Sequence, residues 1–181
     1  MPTARIVPLE APFENAVTET FRQYLPPGLP LLKLFRTQAH NPRVLQRVFA
    51  GSLLDPGAID MRARELVILR TCFRCDSEYE WGVHVALFAK AARLSEADVA
   101  ATQAQSPAGL PESEDVLLDA VDELHDTSTI SDTLWIRLER HYSHAQILEL
   151  IALVGNYHMI SFMTNAARVE REEFAPRFAD V

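Results

Sequence analysis

Apolar residues recur along this chain at three- and four-residue intervals, and no stretch alternates apolar and polar positions in the manner of a half-buried strand. Nearly every segment between turn signals is therefore predicted to be helical, and the fold class is all-α. Pro42 behind Asn41 reads as a first-turn proline after a cap, followed by an apolar stripe of Val44, Leu45, Val48 and Phe49 that the Asp55-Pro56-Gly57 turn closes. A long helix is predicted from about Met61 to Cys75 with Leu66, Ile68, Leu69 and Phe73, and another from Glu78 to about Ala92. Ser95 to Asp98 opens a short helix, and Ala104 to Pro111 is the clearest loop. Val116, Leu117, Ala120, Val121 and Leu124 form one amphipathic face, and Leu134, Ile136 and Leu138 predict a further helix behind a Ser131-Asp132 cap. A Ser143 to Gln146 capping box begins a helix that is apolar on nearly all sides, expected to be the central one.

Composition narrows the function classes. At 181 residues and 48% hydrophobic content the chain suits one globular domain spanning 1–181, with its motif region at about 40–105. A net charge of -8, from 17 basic and 25 acidic residues without a Lys/Arg block, gives no footprint for nucleic acid or an anionic membrane surface. No apolar run is read as approaching a bilayer span, and Met1 to Leu9 lacks the apolar core of a secretory signal, so a cytoplasmic location is expected.

The chemistry concentrates around Arg64-Glu65-Leu66 and His84, which place a carboxylate and an imidazole on two successive apolar helices. A carboxylate that orients a histidine fixes its tautomer and raises its basicity. Glu80 lies four residues before His84 and so shares its helical face, although Ser77 and Glu80 also fit a Ser-x-x-Glu capping box. Asn156, Tyr157 and His158 interrupt an apolar helix; they either line a cavity or form structural hydrogen bonds, with a subunit contact as a further reading for His158. Cys72 and Cys75 form a Cys-x-x-Cys read as core cysteines, a displaced redox pair or half of a zinc site. The core reading is taken, because a second Cys-x-x-Cys or a paired histidine motif is missing, and Cys75 is the more plausible reactive thiol. His125, His141 and His144 lack ligand spacing and are read as solvated or capping. Glu65, Glu80 and His84 lack the second Glu-x-x-His of di-iron bundles, so no metal is expected.

Leu34-Phe35, Ala39-His40-Asn41-Pro42, the Arg64 to His84 stretch and Gly155-Asn156-Tyr157 together resemble the carboxymuconolactone decarboxylase and alkylhydroperoxidase D family. The resemblance implies a bundle of helical hairpins assembled as a homo-oligomer (dimer, trimer or hexamer), with the site between the motif helices near a subunit interface. It also assigns the counterparts of Glu65 and His84 a proton relay. In the family's peroxidase branch, two cysteines sit seven and four positions before the histidine. Here those positions are Ser77 and Glu80, which cannot cycle between dithiol and disulfide.

The function expected on these grounds is a cofactor-independent acid/base enzyme for a small carbonyl, lactone or carboxylate substrate, similar to carboxymuconolactone decarboxylase. His84 would carry the proton, Glu65 would orient it, and Glu80 would be a second proton carrier. Ser77, Tyr79, Trp81, Asn156 and Tyr157 are the expected substrate-binding residues, with Arg70 or Arg74 as holders of an acid group. The alternatives are a peroxidase-related oxidoreductase using Cys75 and Cys72, and a non-catalytic oligomer that binds a small apolar ligand.

Overall fold

The computed structural model describes residues 3–25, 27–104 and 109–181. Among them lie nine α-helices and no strand: α1 Asn15–Tyr24, α2 Lys33–Gln38, α3 Pro42–Ala50, α4 Met61–Arg74, α5 Glu78–Phe88, α6 Glu96–Ala101, α7 Glu112–Thr127, α8 Asp132–Glu139 and α9 His144–Ala167, with a 3-10 turn at Phe178–Asp180. The all-α class is as predicted. Residues 105–108 of the loop expected over 104–111 lie outside the described residues.

Local chemistry sets most boundaries. The side chains of Asn41, Asp60, Ser95, Ser131 and Ser143 each accept a hydrogen bond from a backbone N–H of the first turn that follows, satisfying donors that no carbonyl of the helix can reach. Two predicted ends move. The third helix stops at Ala50 with Gly51 as its cap, before the Asp55-Pro56-Gly57 turn. The fifth stops at Phe88, because Leu94 N–H bonds back to the Ala89 carbonyl with Arg93 in the left-handed region at φ 56°, which closes the helix early.

Helix α4 occupies the centre, in contact with α5, α7 and α9. Its ten consecutive residues from Ala63 to Cys72 are all buried, four of them polar or charged: Arg64, Glu65, Arg70 and Thr71. The expectation that α9 is the central helix is thus corrected. It buries Ile147, Leu150, Leu153, Val154, Tyr157 and Ile160 but leaves Leu148 66% and Phe162 64% exposed, so it forms an outer layer of the bundle. Of the apolar residues that predict α8, Ile136 is likewise exposed, and Leu134 and Leu138 are the ones that the helix turns inward. By length and hydropathy α9 matches a membrane span, unlike the sequence reading, yet 44% of its apolar window is buried against the bundle.

Two features position the site. Asp76, in the left-handed region, and a Ser77 N–H to Cys72 carbonyl bond of 2.8 Å turn the chain sharply from α4 into α5, so the two motif helices form an antiparallel hairpin. Helices α1 to α3 form a separate small layer whose core is Val17, Phe21, Ala39 and Leu45, with Phe35 and Phe49 against it. The C-terminal segment then straps α5 from outside. Phe178 packs edge-on against Phe73 and Trp81, and Glu172 accepts hydrogen bonds from Tyr79 Oη (2.7 Å) and Lys33 N–H (2.6 Å).

Candidate active site

Glu65 lies in the second turn of α4, where it faces α5. Its Oε2 is 2.7 Å from Nδ1 of His84, and its Oε1 takes Nε–H and Nη2–H of Arg64 at 3.0 and 2.9 Å. Arg64 is fixed in turn by an Nη1–H bond to the Leu54 carbonyl (2.7 Å). On its other side, His84 Nε2 lies 3.0 Å from Tyr157 Oη and 3.5 Å from Glu80 Oε1. Glu65, His84 and Tyr157 are almost wholly buried. Because a carboxylate can only accept, Nδ1 carries a proton. Burial opposes a charged imidazole, but the charge and hydrogen bond of Glu65, joined by Glu80, outweigh it and raise the His84 pKa to about 9. At neutral pH, His84 is therefore an imidazolium held against Glu65. The Tyr157 hydroxyl is pushed well above its ordinary range, first by burial and then by Glu80 and Glu65, so it stays protonated.

This relay forms part of the wall of a cavity of about 520 Å³, a size typical for small-molecule sites. Glu80, His84 and Tyr157 meet there with an otherwise apolar lining contributed by α1 to α3, their connecting segments, α5 and α9, including Leu32, Phe35, Phe49, Val83 and Phe88. Neither Lys nor Arg is among the described lining residues, and Tyr24, Ser52 and Asp55 add the remaining polar groups. Glu80 Oε2 is buried without a hydrogen-bond partner, which is uncommon for a carboxylate oxygen.

The structure sorts the predicted site residues. His84, Glu80 and Tyr157 line the cavity and Glu65 stands behind His84. Ser77, Tyr79, Trp81 and Asn156 do not line it. The Ser77 hydroxyl is 2.9 Å from that of Thr164 and leaves its own helix uncapped, so the capping-box reading of Ser77 and Glu80 is also corrected. Tyr79 Oη accepts from Leu34 N–H (3.0 Å) and donates to Glu172, and Trp81 is fully buried under Phe178. Arg70 and Arg74 do not reach the cavity. Arg70 makes a bidentate pair with Asp122 at 2.8 and 2.6 Å and caps the carbonyls of Thr102 and Ala104, while Arg74 pairs with Asp122 and Asp126. Arg64 was missed as a site residue, although its place beside Glu65 was the available signal.

The cysteines lie elsewhere. Cys72 is fully buried, and burial, then the Glu80 charge, pushes its thiol well up. Cys75 caps the far end of α4, half-buried, with its thiol also raised by burial. Its Sγ is 3.9 Å from His125 Nδ1, which is 3.0 Å from His158 Nε2. His125 is therefore neither solvated nor capping, and His158 does not line the cavity. Burial, then Arg74 and the neighbouring His158, lower the His125 pKa.

Residues 41–123 match the model of the carboxymuconolactone decarboxylase family. The fold superposes on a peroxidase-related protein with the alkylhydroperoxidase AhpD core from Ralstonia eutropha JMP134 at a TM-score of 0.83, with 16% identity over 96% of this chain and 94% of that one. A peroxidase-related protein from Silicibacter sp. TM1040 gives 0.82 and 17% identity over 98% and 96% of the two chains. The debrominase Bmp8, in a cysteine-to-alanine form complexed with 2,3,4-tribromopyrrole, gives 0.75 and 17% over 96% and 94%. No curated protein matches the sequence. At these identities the structural likeness speaks for the fold alone. The segment that carries Glu65, Glu80 and His84 belongs to the carboxymuconolactone decarboxylase family, and the chain has the alkylhydroperoxidase D-like fold.

Proposed function

We propose that this protein is a cofactor-independent acid/base enzyme for a small, largely apolar carbonyl or lactone substrate, with His84 as the proton donor. The carrying observation is the buried Glu65–His84–Tyr157 chain at an apolar cavity, with the imidazole protonated at neutral pH. A carbanion or enolate forming in this cavity would take its proton from Nε2 of His84, leaving a neutral imidazole still bonded through Nδ1 to Glu65. Glu65 acts as the positioning group, since a carboxylate behind Nδ1 stabilises the imidazolium and fixes the ring. Arg64 keeps Glu65 in place and balances its charge.

Two details narrow the substrate class. A lining without Lys or Arg fits a neutral molecule better than a dicarboxylate, because a second buried carboxylate would lack a counter-charge. The partnerless Glu80 Oε2 fits a substrate with one hydroxyl or N–H that donates to it. Assembly as a homo-oligomer and action on a small-molecule substrate are part of the same proposal.

The test is turnover of a panel of small lactones, β-keto acids and enolisable ketones in deuterated water, followed by NMR, for wild type, His84→Gln and Glu65→Gln. Deuterium at the protonated carbon of the product, lost in His84→Gln, supports the reading. Turnover unchanged by His84→Gln overturns it. A second reading, a peroxidase-related oxidoreductase using Cys75 and Cys72, draws support from the peroxidase-related structural neighbours. It requires hydroperoxide reduction that disappears in Cys75→Ser.

A further inference from the structure

The end of α4 remote from Glu65 carries a group of side chains that the proposed proton chemistry does not use. Cys75 caps α4, His125 lies in the last turn of α7, and His158 sits in the middle of α9. Cys75, His125 and His158 each bring one ligand atom, a sulfur and two ring nitrogens, to within 4.8 Å of one another, and each residue is half-buried. We propose that Cys75, His125 and His158 form a binding site for a divalent transition metal of the zinc class, with one thiolate and two neutral imidazoles as ligands and a fourth position left to solvent or a further ligand.

The donor set is the first argument. One sulfur and two imidazole nitrogens match the borderline-soft preference of zinc, and three protein ligands plus an open position is an established coordination pattern for it. Distances are the second. Tetrahedral bonds of zinc to nitrogen and sulfur would separate two nitrogens by about 3.3 Å and a nitrogen and a sulfur by about 3.6 Å. The structure has 3.0 Å between the imidazole nitrogens and 3.9 Å between Cys75 Sγ and His125 Nδ1. Small side-chain movements would therefore bring all three atoms to a common centre.

Orientation is the third. His158 Nδ1 donates to the Val154 carbonyl at 2.9 Å, which places the proton on that nitrogen and leaves the Nε2 lone pair aimed at the cluster. A backbone carbonyl behind the distal nitrogen is the usual outer support of a metal-binding histidine. Phe162 packs edge-on against the same ring, and Asn165 Nδ2–H holds the Cys75 carbonyl at 2.8 Å. The three ligands stand on three helices that pack directly on one another, so the group is held in place by the bundle. On binding, the Cys75 thiol gives its proton to the buffer, and any proton shared between the facing imidazole nitrogens is displaced by the metal.

The test uses the untagged full chain, stripped with a chelator and titrated with cobalt(II), then with zinc(II). A single equivalent of cobalt should give the thiolate charge-transfer band and the intense visible bands of a tetrahedral sulfur-containing site, and zinc should displace it. Cys75→Ser should lose the charge-transfer band. His125→Ala and His158→Ala should each weaken zinc binding by about 100-fold or more, on the scale of lost ligand support. His144→Gln, at an exposed histidine paired with Glu139, should leave the titration unchanged. Circular dichroism shows which variants are folded; should one unfold, the remaining two ligand variants decide. A missing thiolate band in the wild type, or a band that persists in folded Cys75→Ser, overturns the proposal.

Discussion

The two ends of α4 make opposite use of the same kind of residue. At the N-terminal end, the imidazole of His84 is enclosed by two carboxylates and a phenol and is held as a cation. At the C-terminal end, the imidazole of His125 faces a second imidazole and a thiol, beside an arginine, and its pKa is lowered. The ring is identical in both places. What differs is the sign of the surrounding charge, which favours the protonated form of one imidazole and the neutral form of the other.

The largest expected effect tests whether the two ends are independent. In His84→Gln, turnover should fall by about 10²- to 10⁴-fold, the usual contribution of a positioned acid, while cobalt uptake at Cys75 stays as in the wild type. Loss of metal uptake in this variant would show that the ends are coupled. Next comes Arg70→Met, because Arg70 lies between them on α4. Removing the buried guanidinium and leaving its partly buried partner Asp122 with only Arg74 should cost about 3 kcal/mol in urea unfolding, the low end for a broken buried pair. Its KM should not change, since the guanidinium does not line the cavity; a raised KM would restore the role in substrate binding expected from sequence.

A pH titration sharpens the electrostatic side of the comparison. The folded-state pKa of His84, about 9, lies above its ordinary 6.5, so its contribution to stability is complete below pH 6.5 and is lost as pH rises through about 9. Unfolding midpoints should therefore decline across that window, and the decline should vanish in His84→Gln. Turnover by an imidazolium donor should fall along the same basic limb. The smallest effect belongs to Tyr157→Phe, which removes one hydrogen bond to Nε2 and should change kcat by about tenfold or less, consistent with about 1 kcal/mol for such a bond. A loss as large as that in His84→Gln would move the proton-donating role to the phenol.

Legibility in the sequence follows contact distance along the chain. Glu65 and His84 are nineteen residues apart on consecutive helices of one hairpin, so their spacing alone brings them to a common face. Helix class and caps were legible for the same local reason. Arg70 was misread because its partner, Asp122, is 52 residues away, and nothing in the α4 pattern separates an exposed cation from a buried paired one. Cys75, His125 and His158 come from three helices separated by 50 and 33 residues, so no ligand spacing exists to find. The cavity was hidden for a related reason. Its wall is built from the small N-terminal layer, whose placement over α5 depends on tertiary contacts.

Gly82 shows how far the site depends on distant chain. A Cβ there would lie 2.4 Å from the Pro176 carbonyl and 3.2 Å from the Ala175 methyl, so the helix that carries Glu80 and His84 presents bare backbone to the C-terminal strap. That contact, with Phe178 lodged against Trp81, makes the last turns of the chain a buttress for the helix that carries Glu80 and His84. The family-matched segment 41–123 is therefore not a portable module. Transplanting it alone would carry the Glu65–His84 spacing into a new context but leave behind Tyr157 and the strap that Gly82 exists to receive.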